Sequence, residues 1–166
     1  MQTVGLPLAE DNSRDFDHGV FIPGLLMYPQ AQIPTLQISL RRGLDPQEHL
    51  ALGRALAPLR DEGVLFVGSG MSFHNMRAFR YGDNMPIDGA EIFDNWLDET
   101  VCSRQSAVRN AVLAEWKKAP GARFAHPREE HLIPLMVIAG AAGAAQGKLA
   151  WHDRAMGAPL SAFSFD

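Results

Sequence analysis

The sequence is poor in cysteine, since Cys102 is the only one among 166 residues. A single thiol excludes an internal disulfide, as is typical of proteins of a reducing cytoplasm, and we expect it to be buried or half-buried. Runs of basic residues are absent as well. Arg41-Arg42 and Lys117-Lys118 are the only adjacent basic pairs, and the net charge is -4. Nucleic-acid-binding proteins normally carry a basic stripe, so we expect no nucleic-acid partner.

Long apolar runs are also missing from the sequence. No stretch approaches the roughly 20 apolar residues that cross a bilayer, and the first residues lack the basic and apolar regions of a secretory signal. The sequence therefore predicts a soluble cytoplasmic protein with no membrane partner. Hydrophobic residues make up 46% of the chain and charged residues 20%, which argues against disorder. A chain of this length can bury one core, so we expect a single domain over residues 1–166.

The order of the predicted elements is typical of an α/β domain. Residues 33–40 (IPTLQISL) have the β-branched and apolar character of a strand. Asp45 is placed to cap a helix over residues 46–60, with Pro46 in its first turn. The wholly apolar residues 64–67 suit a strand that is buried on both faces. Strand, helix and strand in succession predict a central, mostly buried sheet flanked by helices.

The remaining elements are predicted to be mainly helical. An irregular segment precedes the first strand, and a loop and a pair of terminal strands complete the chain. The predicted ranges are an irregular segment over 1–32, a loop over 79–89, helices over 90–101, 103–118 and 127–142, and one or two strands within 149–165.

The first candidate site is the segment GSGMSFHN, residues 68–75. In α/β folds, ligands gather beyond the carboxyl ends of the strands, where glycines let the backbone come close to a ligand. This position makes His74 a candidate functional residue, although a tight turn with an ordinary polar histidine explains it as well. Gly68 and Gly70 also raise a nucleotide-binding hypothesis, but Phe73 stands where the GxGxxG pattern requires its third glycine.

The second candidate segment is AHPREEHLIPLMV, residues 125–137. Within the predicted helix, His131 shares a face with Leu135 and Ile138, so it should point inward. A core histidine with satisfied hydrogen bonds is the plainer explanation. His126 would lie far around the helix axis from His131, so the two are not expected to bind one metal ion together.

The third candidate segment is DFDHGVFIP, in which Asp15 or Asp17 could hold His18 in one tautomer. A histidine that caps a turn explains this pattern equally well. The last two histidines lack such a setting. His49 is expected to be exposed on its helix, and His152 is expected to be an ion-paired strand residue.

Taken together and in this order, several segments resemble one enzyme family. They are DHGVFIP, MYPQAQIPTLQISL, EGVLFVGSGMSFHNMRAF, HPREEHLIPLMV and WHDRAMGAPLSAFSF, and they span about Asp15 to Phe165. The chain resembles the DOPA-dioxygenase-like branch of the class III extradiol ring-cleaving dioxygenases. The resemblance implies a mononuclear non-haem metal site, with Fe²⁺ expected and Zn²⁺ as the alternative. It also implies a catecholic substrate and O₂ as a second substrate.

The resemblance implies roles for individual residues. His74 matches the family's acid/base histidine, with metal ligation as a second role, and His131 matches a metal ligand. His18 matches a catalytic residue that contacts the substrate or an intermediate. The substrate-binding segment corresponds to Gly68, Ser69, Gly70 and Asn75.

The resemblance also implies that this chain corresponds to the C-terminal portion of the family's catalytic domain. Complete members carry further N-terminal strands and two more metal-binding histidines. The metal site is therefore predicted to be incomplete within this sequence, and a homo-oligomer or a complementing N-terminal chain is expected as a partner. The competing hypothesis is a non-catalytic α/β remnant that assembles with a partner.

Overall fold

The structure is a computed structural model that describes residues 9–166, so the first part of the predicted irregular segment lies outside the described residues. Six α-helices and two β-strands are formed within this part of the chain, with short 3₁₀ turns at Ala57–Arg60 and Trp116–Lys118 and a π-helical turn at Glu99–Ser103. The helices are α1 (His18–Met27), α2 (Pro46–Leu56), α3 (Ala90–Asp98), α4 (Ser106–Ala114), α5 (Ala122–Ala125) and α6 (Ile133–Ala141), and the strands are β1 (Gly147–Ala155) and β2 (Ala158–Phe165).

The start of α2 follows the predicted capping pattern. The Asp45 side chain accepts a hydrogen bond from the backbone N–H of Glu48 at 2.9 Å, and Pro46 occupies the first turn. These groups satisfy the start of the helix, where backbone donors have no partner within the helix. The 3₁₀ turn then carries the helical path to Arg60, where the prediction ended it.

Helices α2 and α6 pack with their backbones in contact. A Cβ atom on Gly53 would overlap with the carbonyl oxygen of Val137, and one on Gly140 would overlap with that of Leu50. Because Leu50 lies opposite Gly140 and Gly53 lies opposite Val137, the two helices run antiparallel. Only glycine permits this approach at positions 53 and 140.

The C-terminal end of α6 is held by two arginines. Arg109, which is fully buried, donates hydrogen bonds to the carbonyl oxygens of Ala145 (2.7 Å) and Ala139 (3.0 Å). Arg60 donates to the carbonyl of Ala142 (3.1 Å) and also to that of Phe165 (2.9 Å). These bonds satisfy carbonyls that a helix end leaves without partners, and the cations suit the negative end of the helix dipole.

The sheet is an antiparallel hairpin at the end of the chain, where one or two strands were predicted within residues 149–165. β1 pairs with β2 from Gly147 opposite Phe165 to Ala155 opposite Ala158, with an irregularity between Leu149 and Trp151. The turn places Gly157 at a φ of 81°, a conformation that glycine adopts without strain.

The mixed α/β class is confirmed, but the predicted central buried sheet is not formed within residues 9–166. Residues 33–40 and 64–67 are not strands, and their apolar side chains are largely exposed. Residues 18–27, predicted to be irregular, form α1, in which no residue is buried. A strand needs a neighbour with which its backbone can form hydrogen bonds, and the described residues provide none for these two segments.

The predicted helix over residues 127–142 is shorter than expected. The chain turns between Pro127 and Leu132, and α6 begins only at Ile133, with Pro134 in its first turn. Both prolines suit a helix start, and the sequence prediction chose the wrong one. The helices predicted over 90–101 and 103–118 also end earlier, in the π-helical and 3₁₀ turns.

Cys102 is half-buried, as expected, and burial and the nearby Asp98 raise the pKa of its thiol to about 12. Among residues 9–166, no helix combines the length and the apolar character that crossing a membrane requires.

The glycine contact between α2 and α6 predicts opposite effects of two Gly→Ala changes. Gly53→Ala should lower the free energy of unfolding by about 1–3 kcal/mol, because the added methyl group overlaps with the Val137 carbonyl. Gly24→Ala, in α1 with open space around it, should raise it by up to about 1 kcal/mol through helix propensity. Urea unfolding followed by circular dichroism measures both. Equal stabilisation by the two changes would contradict the close contact.

Candidate metal centre

Two histidines predicted from separate segments lie side by side. The backbone N–H of His74 donates to the carbonyl of Ala125 at 2.9 Å, and that of Met71 donates to the carbonyl of His131 at 3.0 Å. Gly70 packs so closely against His131 that a Cβ atom would overlap with the carbonyl oxygen of His131. The glycine-rich segment therefore brings His74 to His131 by backbone contact.

The His74 and His131 rings stack, with centroids 3.6 Å apart and an angle of 19° between their planes. Glu130 lies beside them. The candidate ligand atoms of His74, Glu130 and His131, one from each side chain, all lie within 4.8 Å of one another, and all three residues are partly buried. Within residues 9–166 this is the one group of three such side chains with the spacing that a metal ion requires.

Glu130 was not predicted as a site residue. Its only signal in the sequence is its position directly before His131. The structure distinguishes it from its neighbour Glu129, which accepts from Arg123 (2.8 Å) and pairs with Lys117 (3.2 Å). The only salt-bridge partner of Glu130 in the described part of the chain is the exposed Arg128, at 3.2 Å. An exposed ion pair is weak, so the Glu130 carboxylate is more readily available to a cation than that of Glu129.

The environment of His131 favours its neutral form. Burial lowers the pKa of His131, and the neighbouring His74 lowers it further, whereas Glu130 acts in the opposite direction. A neutral imidazole keeps the lone pair with which it binds a metal ion.

The donor types of His74, Glu130 and His131 fit a non-haem metal. Two imidazoles and one carboxylate are the set that binds ferrous iron in many oxygenases and leaves other positions open, and Zn²⁺ accepts the same donors. The lone pairs of an imidazole lie in the ring plane. Because the two rings are nearly parallel, at least one must rotate before both nitrogens can point at one ion.

His126 lies in the interior close to these residues. It is fully buried, and its Nε2 lies 2.8 Å from the carbonyl oxygen of Ser72. A carbonyl only accepts, so Nε2 carries the proton and Nδ1 bears the lone pair. Phe93 and Trp116 meet the ring edge-to-face at 5.3 and 6.0 Å. Burial lowers the pKa of His126 to about 4, and its nitrogens are not part of the three-residue group.

His18 lies in the first turn of α1 and is exposed. The start of α1 borders the glycine-rich segment, because a Cβ atom on Gly19 would lie 3.3 Å from the Ser69 hydroxyl oxygen. The expected bond to a nearby aspartate is not formed. Asp17 instead accepts from the side chain of Gln37 at 2.7 Å, and no hydrogen bond joins His18 to Asp15.

The predicted substrate-binding residues have structural contacts of their own. Gly68 and Gly70 face α6, where a Cβ atom on Gly68 would lie 2.5 Å from the Ile138 side chain. Asn75 donates from Nδ2 to the Phe124 carbonyl at 2.8 Å. Ser69 is exposed beside α1. No helix begins directly after this segment, so the geometry of a phosphate-binding glycine loop is not formed, and the nucleotide hypothesis loses its basis.

Two other histidines are structural. His49 was expected to be exposed but is fully buried, because it faces the interior of the fold. Its Nε2 accepts from the backbone N–H of Arg41 at 3.0 Å, and its Nδ1 lies 2.6 Å from the Asp45 carbonyl. His152 lies on β1, as predicted, but it pairs with Asp94 at 3.4 Å rather than with its neighbour in the sequence.

A cavity of about 300 Å³ opens beside His131. Its walls come from residues 66–68 and 70–72, from α6 with the residues directly before it, and from residues 161–163 of β2. Most of these side chains are apolar, including Phe66, Leu135 and Phe163. Of the three candidate ligands, His131 thus borders a space with an apolar wall.

Comparison with known proteins gives a family match over almost the whole chain. A family model described as the catalytic LigB subunit of aromatic ring-opening dioxygenase matches residues 1–160. The 4,5-DOPA dioxygenase extradiol of Beta vulgaris is 41% identical over 133 residues, which cover 80% of this chain and 48% of that protein. The protein of the same name from Escherichia coli (strain K12) is 35% identical over 127 residues, covering 76% and 46%. The chain spans about half the length of the curated relatives it matches.

One solved structure shares the fold. The crystal structure of an uncharacterized protein, JW3007, from Escherichia coli K12 superimposes with a TM-score of 0.83 at 28% sequence identity. The match covers 97% of this chain and 67% of that chain. The arrangement of helices and hairpin is therefore found in an experimentally determined relative.

The lowered pKa of His126 predicts that acid destabilises the fold. The unfolded chain takes up a proton near the ordinary pKa of 6.5, whereas the folded chain does so only near 4. This contribution to stability should be complete above pH 6.5 and should fall by up to about 3 kcal/mol between pH 6.5 and pH 4.

Urea unfolding at a series of pH values tests the His126 prediction. His126→Gln retains a donor for the Ser72 carbonyl but cannot titrate, so its stability should fall less steeply in this pH range than that of the unchanged protein. Parallel pH profiles for the two proteins would contradict the assignment.

Proposed function

Because the chain belongs to the family of the catalytic LigB subunit of aromatic ring-opening dioxygenases, in its DOPA-dioxygenase-like branch, we propose that His74, Glu130 and His131 bind one divalent metal ion. We propose further that this ion serves the extradiol cleavage of a catecholic substrate by O₂. The observation that carries the proposal is the spacing of the three side chains, whose ligand atoms lie within 4.8 Å of one another.

Fe²⁺ is the metal that the proposal favours, with Zn²⁺ as the alternative. A bound ferrous ion supplies Lewis acidity and redox chemistry at coordination positions that the protein leaves open. Neutral imidazole nitrogens and a carboxylate provide suitable donors, and the carboxylate offsets part of the charge of the ion. The lowered pKa of His131 supports its role, because a proton then competes less with the metal.

The proton chemistry is assigned to His18 and His74. A catechol that binds through both oxygens must release protons, and an imidazole within reach can accept one at neutral pH. His74 lies in the ligand group, which favours metal ligation for it and retains acid/base work as its second role. His18 borders the same region from α1 and is proposed to contact the substrate as the acid/base group.

The cavity beside His131 is proposed to hold the aromatic ring. Apolar walls suit the faces of a ring, while the two hydroxyl groups would project toward the polar ligand side. Gly68 and Gly70 belong to the lining of this cavity, and their close packing against α6 fixes the position of that wall. Ser69 and Asn75 complete the proposed substrate-binding segment. The matched relatives are named for 4,5-DOPA, so DOPA is the first substrate to test.

Removal of His131 should abolish tight metal binding. In an anaerobic titration with Fe²⁺, His131→Ala should lower the affinity at least about tenfold, because a direct ligand contributes no less than the outer groups that orient ligands. Calorimetry measures the affinity, and a parallel titration with Zn²⁺ identifies the preferred metal. The control is His152→Ala, since His152 lies on β1 and pairs with Asp94. Equal affinity in both variants would contradict the site.

Oxygen consumption tests the proposed reaction directly. Uptake that requires both DOPA and the metal, with a yellow ring-opened product, and that is lost in His131→Ala would support ring cleavage. Metal binding without such uptake would overturn the proposed activity of this chain and leave the metal site in place.

The two neighbouring glutamates provide a matched test of the third ligand. Glu130→Gln should reduce Fe²⁺ affinity at least about tenfold, because it removes the only carboxylate in the group. Glu129→Gln should leave the affinity unchanged, since its carboxylate is engaged by Arg123 and Lys117. The same titration measures both variants. A larger loss in Glu129→Gln than in Glu130→Gln would contradict the assignment.

A further inference from the structure

One side of the molecule exposes large apolar side chains in three segments. Residue 26 in α1 is 79% exposed, Leu36 is 94% exposed and Leu65 is 67% exposed. Other apolar side chains around them are also exposed, among them Ile22, Ile38 and Val67. α1 contains no buried residue although it is predominantly apolar. Such contiguous exposure is unusual for a protein surface that faces only water.

The three segments adjoin one another. The side chain of Gln37 donates to Asp17 at 2.7 Å, which ties residues 33–40 to the start of α1. A Cβ atom on Gly19 would lie 3.3 Å from the Ser69 hydroxyl oxygen, so α1 also meets residues 64–70. We call the surface formed by α1, residues 33–40 and residues 64–70 the open face.

The backbone of the two non-helical segments of the open face has few partners. Within residues 9–166, the main chain of residues 65–70 forms no hydrogen bond, and that of residues 33–40 forms only the local one from the Thr35 hydroxyl to the Ile33 carbonyl. Both segments have the sequence pattern of strands. A lipid or a small apolar ligand would cover the side chains but leave the amides and carbonyls unsatisfied. A β-strand satisfies both requirements.

We propose that the open face binds a strand-forming polypeptide equivalent to the part of the relatives that lies outside the match. The matched region makes up only 48% and 46% of the length of two of the curated relatives. The solved relative, which has the same fold, contains a third of its chain beyond the match. The proposed occupant of the open face is therefore a polypeptide with the sequence of those additional residues.

The open face continues into the candidate metal centre. Residues 65–70 run along α6 and end at Gly70, which touches the His131 carbonyl. A strand paired with them would therefore end beside His74 and His131, where it could supply further ligands. The supply of further ligands rests on the proposed function, whereas the binding of a strand to the open face does not.

Co-expression tests the docking. The tagged chain is co-expressed with the unmatched part of the Beta vulgaris relative and purified in buffer with a metal chelator, which separates the result from metal binding and activity. The expected result is a 1:1 complex by sedimentation, with amide exchange at residues 65–70 slowed at least about tenfold. The unmatched parts of the Portulaca grandiflora and Escherichia coli relatives serve as second and third probes.

Two variants place the complex on the open face. Leu65→Lys should reduce the amount of co-purified polypeptide at least about tenfold, because a charge would be buried in the contact. Ile92→Lys is the control, since Ile92 on α3 is 51% exposed and lies outside the open face. A chain that forms a homodimer through Leu65, or a monomer that captures none of the three polypeptides, would overturn the proposal.

Discussion

The backbone contact between α2 and α6 is the constraint on which the rest of the structure depends. Without side chains at Gly53 and Gly140, the two helices approach until carbonyl oxygens of one meet Cα positions of the other. Arg109 then holds the far end of α6 by donating to the Ala139 carbonyl within the helix and to the Ala145 carbonyl beyond it. α6 thus becomes a rigid support, and His131 lies directly before its first turn. The glycine segment packs along the same helix and carries His74 to its partner.

The chemistry of the site follows from this support. Two main-chain hydrogen bonds, to the carbonyls of Ala125 and His131, fix the segments that bear the imidazoles. Burial favours the neutral form of His126, so its ring adds no positive charge that would repel a cation at the neighbouring site. The candidate site therefore combines two imidazoles and one carboxylate on segments that main-chain hydrogen bonds hold in place.

The sequence predicted those features whose partners are close in the chain, and it failed for features that depend on contacts with distant residues. The Asp45 cap and the terminal hairpin are confirmed because their partners are close in sequence. The strands predicted at 33–40 and 64–67 are wrong within the described residues, because pairing depends on a neighbour that local pattern cannot supply. The burial of His49 and the choice of Pro134 as a helix start depend on tertiary contacts. Glu130 was missed because its role depends on the approach of a distant segment.

The glycines at 53, 68, 70 and 140 have a consequence for how this sequence can diverge. Each faces another element so closely that any side chain would overlap with it, so substitution of these glycines is unfavourable. Neighbouring core residues, in contrast, can exchange one apolar side chain for another. Insertions between residues 68 and 74 would also shift the register that aligns the two imidazoles. Over evolutionary time, we therefore expect the spacing of these glycines to outlast most of the residues around them.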